Sequence, residues 1–225
     1  MEIVSPATFL YTLYTAPLGS SGSLNGPSLV LATLYLIHYA NRAVINPLRT
    51  PSRSKMHVIV FLSAVLFNSV NGSLMGSYLS SHVAQMHLAG ALDRPTFWVG
   101  IAVWVLGFAG NVYHDEILLS IRRKAKGKKQ EGGKQYYAIP HGGLYRYISY
   151  PNYFSEWVEW TGFAGVAAPL PALFSGGLTI MSPPWLFVWN EVFLMAPRAW
   201  RGHKWYYNKF PEYPKERKAV IPFIL

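Results

Sequence analysis

The sequence predicts an all-α fold in which a bundle of helices crosses a membrane, and three observations support this prediction. Of the 225 residues, 51% are hydrophobic and only 13% are charged, whereas soluble domains use roughly 25% charged residues. Apolar stretches near the length of about 20 residues that a spanning helix needs recur along the whole chain. All of the 20 Lys and Arg residues except Arg94 lie at the end of an apolar stretch, in two alternate loops or in the C-terminal tail.

Six apolar segments account for the predicted spans. They are residues 3–18, 27–46, 57–79, 97–119, 153–174 and 178–197. The first, third and fifth connections are neutral or nearly so, whereas the second and fourth connections and the tail carry the basic residues. Because basic residues near short loops stay on the cytosolic side during insertion, both termini are expected in the cytosol.

The composition also limits the kinds of site and partner. The chain has no cysteine, so it offers neither a disulfide framework nor a thiolate zinc site, and we expect no metal. Membrane orientation explains the net charge of +10, so nucleic acid is not expected as a partner. Because apolar stretches run along the full length, residues 1–225 are predicted to form a single integral-membrane domain in contact with lipids.

Polar side chains are expensive at membrane depth, so each one marks a candidate site. Most of them lie toward the cytosolic ends of the predicted segments: Glu2, His38, Tyr39, Asn111, Tyr113, His114, Asp115, Glu116, Asn152, Glu156, Glu159, Trp160 and Glu191. Asn111, Asp115 and Arg122 follow one another at intervals of four and seven residues, which places them on one side of a helix. We therefore expect a polar chamber open to the cytosol. For any single residue, the alternative is an interhelical hydrogen bond that only holds the bundle together.

The loop at 137–145 carries the adjacent glycines Gly142 and Gly143. Such a pair lets the backbone approach a ligand closely, although it is also common in simple turns. The chain shows no Rossmann fingerprint, so a dinucleotide would have to be held by the helical bundle.

Several runs of the sequence resemble the steroid 5α-reductases (3-oxo-5α-steroid 4-dehydrogenases). IPHGGLYRYISYPNYFSEWVEWTGFA at 139–164 and RAWRGHKWYYNKFPEYPKERKAVIPFIL at 198–225 are similar to the C-terminal domain of that family. GNVYHDEILLSIR at 110–122 resembles its Asn…Asp…Arg helix, and LIHYANRAVINPL at 36–48 resembles its His-Tyr helix. The likeness covers nearly the whole chain and is most specific over 111–225. It implies a membrane enzyme that reduces a C=C bond conjugated to a ketone with NADPH.

The resemblance also implies roles for individual residues. It implies dinucleotide contacts for Arg53, Asn111, Asp115, Arg122, Asn152, Arg198, His203 and Tyr206. It implies that Glu2 and Tyr39 grip the 3-ketone of a lipophilic steroid and are the catalytic residues. Family members often carry two histidines where this chain has Gly202 and His203. They also have seven spans, with a further helix before the one that bears the Glu, so six spans with both ends cytosolic are expected here.

The implied reaction adds a hydride to the β-carbon of an enone while negative charge builds on the carbonyl oxygen. Tyr39 can donate a hydrogen bond to that oxygen, and a protonated Glu2 can donate a second or act through Tyr39. The arginines can neutralise the cofactor phosphates. The expected location is the endoplasmic reticulum membrane, with the cofactor pocket on the cytosolic side.

Three alternatives remain open at this stage. The same scaffold could reduce a trans-2-enoyl thioester or a polyprenol, since only the lipid-facing half of the site would differ. A membrane methyltransferase of the isoprenylcysteine type is also a small helical enzyme with a cytosolic cofactor pocket. An ion or proton-coupled transporter could explain the acids Asp115, Glu156, Glu159 and Glu191.

Overall fold

The computed structural model describes residues 1–18, 24–51, 57–127, 137–170 and 182–225. The eight α-helices of these residues are α1 (Val4–Thr15), α2 (Gly26–Tyr39), α3 (Asn46–Arg49), α4 (Val58–Leu79), α5 (His82–His87), α6 (Pro95–Gly127), α7 (Pro151–Ala167) and α8 (Pro183–Lys209). A π-helical segment at Ala40–Ile45 joins α2 to α3, and 3-10 turns lie at Ala91–Asp93 and Gly143–Arg146. No β-strand occurs among the described residues, so the all-α prediction is confirmed.

Within the described ranges, three helical stretches are long and apolar enough to cross a membrane. They are Gly26–Arg49, Val58–Leu79 and Pro95–Ala125, with mean hydropathies of 1.3, 1.8 and 1.4. They contain or nearly match the second, third and fourth predicted segments. At 12 residues, α1 is about 18 Å long, well below the roughly 30 Å of a bilayer core. The predicted fifth segment begins within α7, and the predicted sixth segment ends within α8. Residues 171–181, which contain the end of the fifth and the start of the sixth, lie outside the described residues.

Helix α6 continues beyond the predicted end of its apolar segment at residue 119 and reaches Gly127. The added turns contain Arg122, Arg123 and Lys124, which were expected in a basic loop. Lys and Arg are good helix formers and interact favourably with the negative end of the helix dipole. The cationic run therefore extends the helix.

The chain folds into two compact units. Unit 1 comprises Met1–Leu48, Ser54–Val103 and Trp160–Val188, and unit 2 comprises Arg49–Arg53, Trp104–Glu159 and Trp189–Leu225. The prediction of a single domain stays a prediction.

In unit 1, helix α1 packs directly on the backbone of α4. A Cβ atom added to Gly72 would lie 2.2 Å from the carbonyl oxygen of Ser5, and one added to Gly76 would lie 2.3 Å from the carbonyl oxygen of Phe9. Gly72 and Gly76 are four residues apart, the spacing of small residues that lets two membrane helices approach closely. These glycines therefore set the position of α1.

In unit 2, the C-terminal tail is tied to the loop before α7. Ser149 N donates to Lys218 O at 2.9 Å, and Lys218 N donates to Tyr147 O at 2.8 Å. Next to this pairing, a buried cluster joins α7, α8 and the tail through Trp157, Met195, Ala199 and Val220. The tail thus belongs to the core of unit 2.

We predict that Gly72→Ala destabilises the protein and Gly165→Ala does not. The methyl group at 72 meets the backbone of α1, and such overpacking costs about 1–3 kcal/mol. Gly165 has open space around its Cβ position, so alanine there should be neutral or stabilise the helix by up to about 1 kcal/mol. Thermal unfolding in detergent measures both variants. Equal midpoints would contradict the packing described for α1 and α4.

Candidate functional site

Three of the predicted site residues on α6 and α7, Asn111, Asp115 and Asn152, form a hydrogen-bonded cluster with Glu156 in unit 2. Asn111 Nδ2 donates to the backbone oxygen of Asn152 at 3.1 Å and to Glu156 Oε2 at 3.2 Å. Asn152 Nδ2 donates to Asp115 Oδ1 at 3.0 Å. Asn111, Asn152 and Glu156 are buried. The i, i+4 pairs on the two helices therefore face each other, as their spacing indicates.

The close approach of α6 and α7 depends on glycine. A Cβ added to Gly107 would lie 2.3 Å from the backbone nitrogen of Glu159, and one added to Gly110 would lie 2.8 Å from Ser155 Oγ. Larger residues at 107 and 110 would separate the helices and break the short bonds between Asn111 and Asn152. The glycines therefore position the cluster.

One acceptor of this cluster is left over. Asn152 Oδ1 is buried and has no hydrogen-bond partner among the described residues. An unpaired buried acceptor costs about 1–3 kcal/mol, so this atom suits a ligand that brings an N–H or O–H donor.

Two predicted cofactor residues present positive charge. Arg122 and Arg198 are exposed, and neither guanidinium makes an ion pair or hydrogen bond with another described residue. Arg53 lies outside the described residues. Guanidinium groups bind phosphate through paired hydrogen bonds, so Arg122 and Arg198 can receive an anionic ligand.

Tyr206 lies in a cluster of tyrosines between α8 and the tail. Its ring stacks on that of Tyr213, with centroids 5.3 Å apart. The pKa of Tyr206 is raised to about 12, mainly by burial and also by Tyr213, while the charges of Arg122 and Arg217 act in the opposite direction. The phenol is therefore neutral at physiological pH and can donate a hydrogen bond.

His203, by contrast, is held from within the protein. Its Nδ1 lies 2.5 Å from Ser149 Oγ, and its ring packs edge-on against Tyr207, with centroids 4.7 Å apart. His203 is 9% exposed. Any contact with a cofactor must therefore use the other nitrogen, Nε2.

Gly202, next to His203, faces Tyr150. A Cβ at this position would lie 1.6 Å from the phenol oxygen of Tyr150. The resemblance implies that a histidine often stands at this position in the family. In this chain the space is occupied by the Tyr150 side chain, so a side chain at 202 would require Tyr150 to move.

His114 has a structural role. Its Nε2 accepts a hydrogen bond from the backbone N–H of Leu144 at 3.0 Å, and its Nδ1 lies 2.6 Å from the carbonyl oxygen of Gly110. A Cβ at Gly143, whose φ is +52°, would lie 2.7 Å from the same Nε2. This contact with α6 explains Gly143, whereas at Gly142 the φ of +104° itself favours glycine.

The predicted catalytic residue Tyr39 is buried in unit 1. Its phenol oxygen accepts a hydrogen bond from Asn71 Nδ2 at 3.0 Å, and the same nitrogen lies 3.2 Å from the hydroxyl of Tyr35. Tyr39 ends α2 where the π-helical segment Ala40–Ile45 begins, and π segments often occur at functional sites. Tyr39 is thus a fixed hydroxyl within a polar cluster.

Glu2 has a different setting from the apolar one expected. Its Oε1 lies 3.4 Å from Arg42 Nε, and its side chain is 32% exposed. Arg42 lies in the π-helical segment that follows Tyr39. Glu2 is therefore half of an ion pair, and its expected catalytic role stays a prediction.

Sequence reasoning assigned no site role to three residues that organise these clusters. Asn71 orients Tyr39, Arg42 pairs with Glu2, and Ser149 holds His203. The signal for Asn71 was its position inside an apolar segment, where an amide needs partners. The partners of Arg42 and Ser149 are distant in sequence, and no local pattern indicated them.

Among the described residues of unit 2, two cavities can be outlined, and neither is lined by a residue to which the family resemblance implies a cofactor or catalytic role. One, of about 510 Å³, is bounded by His141, Gly142, Gly143, Arg146, Pro214, Glu216 and Arg217. The other, of about 460 Å³, is bounded by Arg49, Phe108, Ala109, Val112, Tyr113 and Glu116. The hydrogen-bonded cluster described above is the better guide to the site, because its polar groups converge and these cavities are open to the outside.

The fold and the cluster define a helical protein suited to a membrane, with buried amide and carboxylate groups and exposed guanidinium groups. The family model for 3-oxo-5-alpha-steroid 4-dehydrogenase matches residues 54–225. The chain therefore belongs to the steroid 5α-reductase family.

Individual relatives agree with this assignment. The chain is 34% identical over 199 residues to 3-oxo-5-alpha-steroid 4-dehydrogenase 1 of Bos taurus, an alignment that covers 88% of this chain and 69% of the relative. It is 34% identical over 231 residues to steroid 5-alpha-reductase DET2 of Solanum lycopersicum, covering 98% and 77%. It is also 41% identical over 244 residues to an uncharacterized protein of Schizosaccharomyces pombe, covering 100% and 82%.

We predict that Gly202→Ala destabilises unit 2 and that Tyr150→Ala relieves part of the loss. The methyl group cannot coexist with the phenol in its present position, so the single variant should lose about 1–3 kcal/mol of unfolding free energy. In the double variant the clash is gone, and the two effects should differ from additivity by about 1 kcal/mol or more. Thermal unfolding of the four proteins of this cycle gives the coupling. Additive losses would show that Tyr150 does not fill this space.

Proposed function

We propose that the protein reduces the C4=C5 double bond of 3-oxo-4-ene steroids with NADPH. Relatives named as steroid 5-alpha-reductases and 3-oxo-5-alpha-steroid 4-dehydrogenases support this reaction class. The observation that carries the proposal is the cluster of Asn111, Asp115, Asn152 and Glu156, because its buried acceptor Asn152 Oδ1 has no hydrogen-bond partner in the part of the chain that the structure describes.

The residues of unit 2 fit a dinucleotide phosphate. The orphan Oδ1 of Asn152 would accept from an amide or hydroxyl of the cofactor. Arg122 and Arg198 would hold phosphates, with Arg53 assisting, and Tyr206 would donate a hydrogen bond from its neutral phenol. When bound, NADPH supplies the hydride for the β-carbon of the enone.

The residues of unit 1 fit the polarisation of a ketone. As the reaction proceeds, negative charge develops on the carbonyl oxygen, and a fixed donor stabilises it more than it stabilises the ground state. Tyr39 can be this donor, because Asn71 fixes the position of its oxygen. The α-carbon then takes up a proton from water or from an acid, which finishes the reduction.

Glu2 could either donate a hydrogen bond to the substrate carbonyl or act through Tyr39, and the second role is the one proposed. The carboxyl group of Glu2 is already engaged by Arg42, which lies in the π-helical segment next to Tyr39. We therefore propose that Glu2 acts through the placement of Tyr39.

The proposed topology has six spans with both termini in the cytosol and the cofactor site on the cytosolic side of the endoplasmic reticulum membrane. The alternation of neutral and basic connections supports it. In this topology Arg122, in the last turns of α6, and Arg198, directly after the sixth predicted segment, lie on the side where a soluble cofactor can reach them.

We predict that membranes containing the protein convert 3-oxo-4-ene steroids and NADPH into 5α-reduced 3-ketosteroids and NADP⁺. Product analysis by mass spectrometry, with trans-2-enoyl thioesters and polyprenols as parallel substrates, measures this. Reduction of a thioester or polyprenol alone would transfer the assignment to that substrate class. Absence of NADPH oxidation with every substrate would contradict the proposed function.

Tyr39→Phe and Arg198→Ala should impair the enzyme in different ways, the first in turnover and the second in NADPH binding. Loss of the Tyr39 hydroxyl should lower kcat by about 10²–10³-fold with little change in NADPH affinity. Loss of Arg198 should weaken NADPH binding by about 10-fold or more, because a charged hydrogen bond contributes about 1.5–3 kcal/mol.

Arg201→Ala is the matched control, because Arg201 is also an exposed arginine of α8. Turnover and NADPH titrations on the three variants separate the roles. A Tyr39→Phe enzyme that lost affinity and kcat equally would indicate a packing role, and equal effects at 198 and 201 would indicate general electrostatics.

A further inference from the structure

We propose that Ser149 holds His203 in the Nδ1–H tautomer, so that Nε2 presents a lone pair to a hydroxyl or amide donor of the bound dinucleotide. Ser149 is a positioning residue in this proposal, and His203 is the residue that contacts the ligand. The identity of the ligand rests on the proposed function, whereas the tautomer rests on the hydrogen-bond geometry alone.

Ser149 lies where three parts of unit 2 meet. Its Oγ is 2.5 Å from Nδ1 of His203 on α8, 2.6 Å from the hydroxyl of Tyr213 and 3.2 Å from the backbone oxygen of Lys218 in the tail. Ser149 and Tyr213 are 3% and 1% exposed. Water therefore has little access to this network, and the protein groups must satisfy one another.

The hydrogens of this network can be counted. A serine hydroxyl has one hydrogen to donate and two lone pairs to accept. The carbonyl oxygen of Lys218 can only accept, so the hydrogen of Ser149 must point to it if that contact is a hydrogen bond. Both lone pairs then accept, one from the Tyr213 hydroxyl and the other from Nδ1–H of His203. This is the one arrangement in which all three contacts are hydrogen bonds.

The tautomer decides what Nε2 can bind. In a neutral imidazole, one ring nitrogen donates and the other accepts, so Nε2 is an acceptor when Nδ1 carries the proton. No hydrogen bond among the described residues uses Nε2. A ribose hydroxyl or a carboxamide N–H is the complementary group, whereas a phosphate, which has only acceptors at neutral pH, is not.

The charge state of His203 agrees with this assignment. Burial lowers the pKa of His203, and the positive charge of Lys218 lowers it further. The other polar groups that face the ring are Ser149, Tyr207 and Tyr213, none of which is anionic at neutral pH. The imidazole is therefore neutral under physiological conditions, and its affinity for phosphate is low.

The first test reads the tautomer directly. The protein with ¹⁵N-labelled histidine is purified in detergent, and the signal of His203 among the seven histidines is assigned by its loss in His203→Asn. We expect a protonated Nδ1 and an unprotonated Nε2 at pH 8, and a shift toward the Nε2–H form in Ser149→Ala. An Nε2–H tautomer in the unaltered protein would overturn the proposal even if the enzyme is active.

Two isosteric variants test the ligand contact. Asn at 203 keeps a donor near the position of Nδ1 and lacks the acceptor, whereas Gln places an amide oxygen near the position of Nε2. We expect NADPH to bind about five- to tenfold more weakly to His203→Asn, the loss of one neutral hydrogen bond, and His203→Gln to retain more of the affinity. The reverse order would overturn the assignment of Nε2 as acceptor.

The direction in which NADPH affinity changes with pH is an independent test. Protonation of His203 turns Nε2 into a donor, so the proposal predicts that NADPH affinity of the unaltered protein falls relative to His203→Gln as the pH drops through the lowered pKa. An imidazolium that bound phosphate would give a rise. An Nδ1–H tautomer in a protein that binds no NADPH would refute the proposed function and the ligand, while the serine–histidine geometry would stand.

Discussion

The candidate site depends on the absence of two side chains, at Gly107 and Gly110. Their Cβ positions are occupied by Glu159, Ser155 and the adjoining backbone of α7. Only at this separation can the short amide side chains of Asn111 and Asn152 reach across between the helices. A membrane provides no water to satisfy these amides and carboxylates, so they must find partners within the protein. The close packing of α6 and α7 is therefore the condition under which these polar groups can form hydrogen bonds with one another.

Unit 1 uses the same combination for a different purpose. Gly72 and Gly76 bring α1 onto α4, and Asn71, one residue before the first of these glycines, donates to Tyr39. The amide is thus positioned by the helix contact beside it. Hydroxyl groups on α1 and α2, those of Ser5 and Tyr35, complete the cluster at 2.7 Å from each other. A donor fixed in this way needs little reorganisation when charge develops on a substrate oxygen.

The parts of the molecule that the sequence predicted well are those governed by local rules. Hydropathy over 20 residues identified the central apolar helices, and i, i+4 spacing indicated that Asn111 and Asp115 share a face. Helix ends were predicted less well, since α6 continues through residues that were interpreted as a loop. The length of α1 was also overestimated, because apolar residues on either side of Val4–Thr15 lengthened the segment without extending the helix.

Contacts between residues distant in sequence could not be predicted, and two of them change the interpretation of the site. A glutamate in an apolar segment suggests an isolated carboxyl, but Arg42 comes within 3.4 Å of Glu2. Arg42 also belongs to the π-helical segment that follows Tyr39, so this segment contributes one partner of the ion pair and adjoins the tyrosine. Glycine at 202 is a second example, because the space that a side chain would need there is filled by Tyr150, more than 50 residues earlier in the chain. The steric limit at this position therefore comes from a residue that no local pattern connects to it.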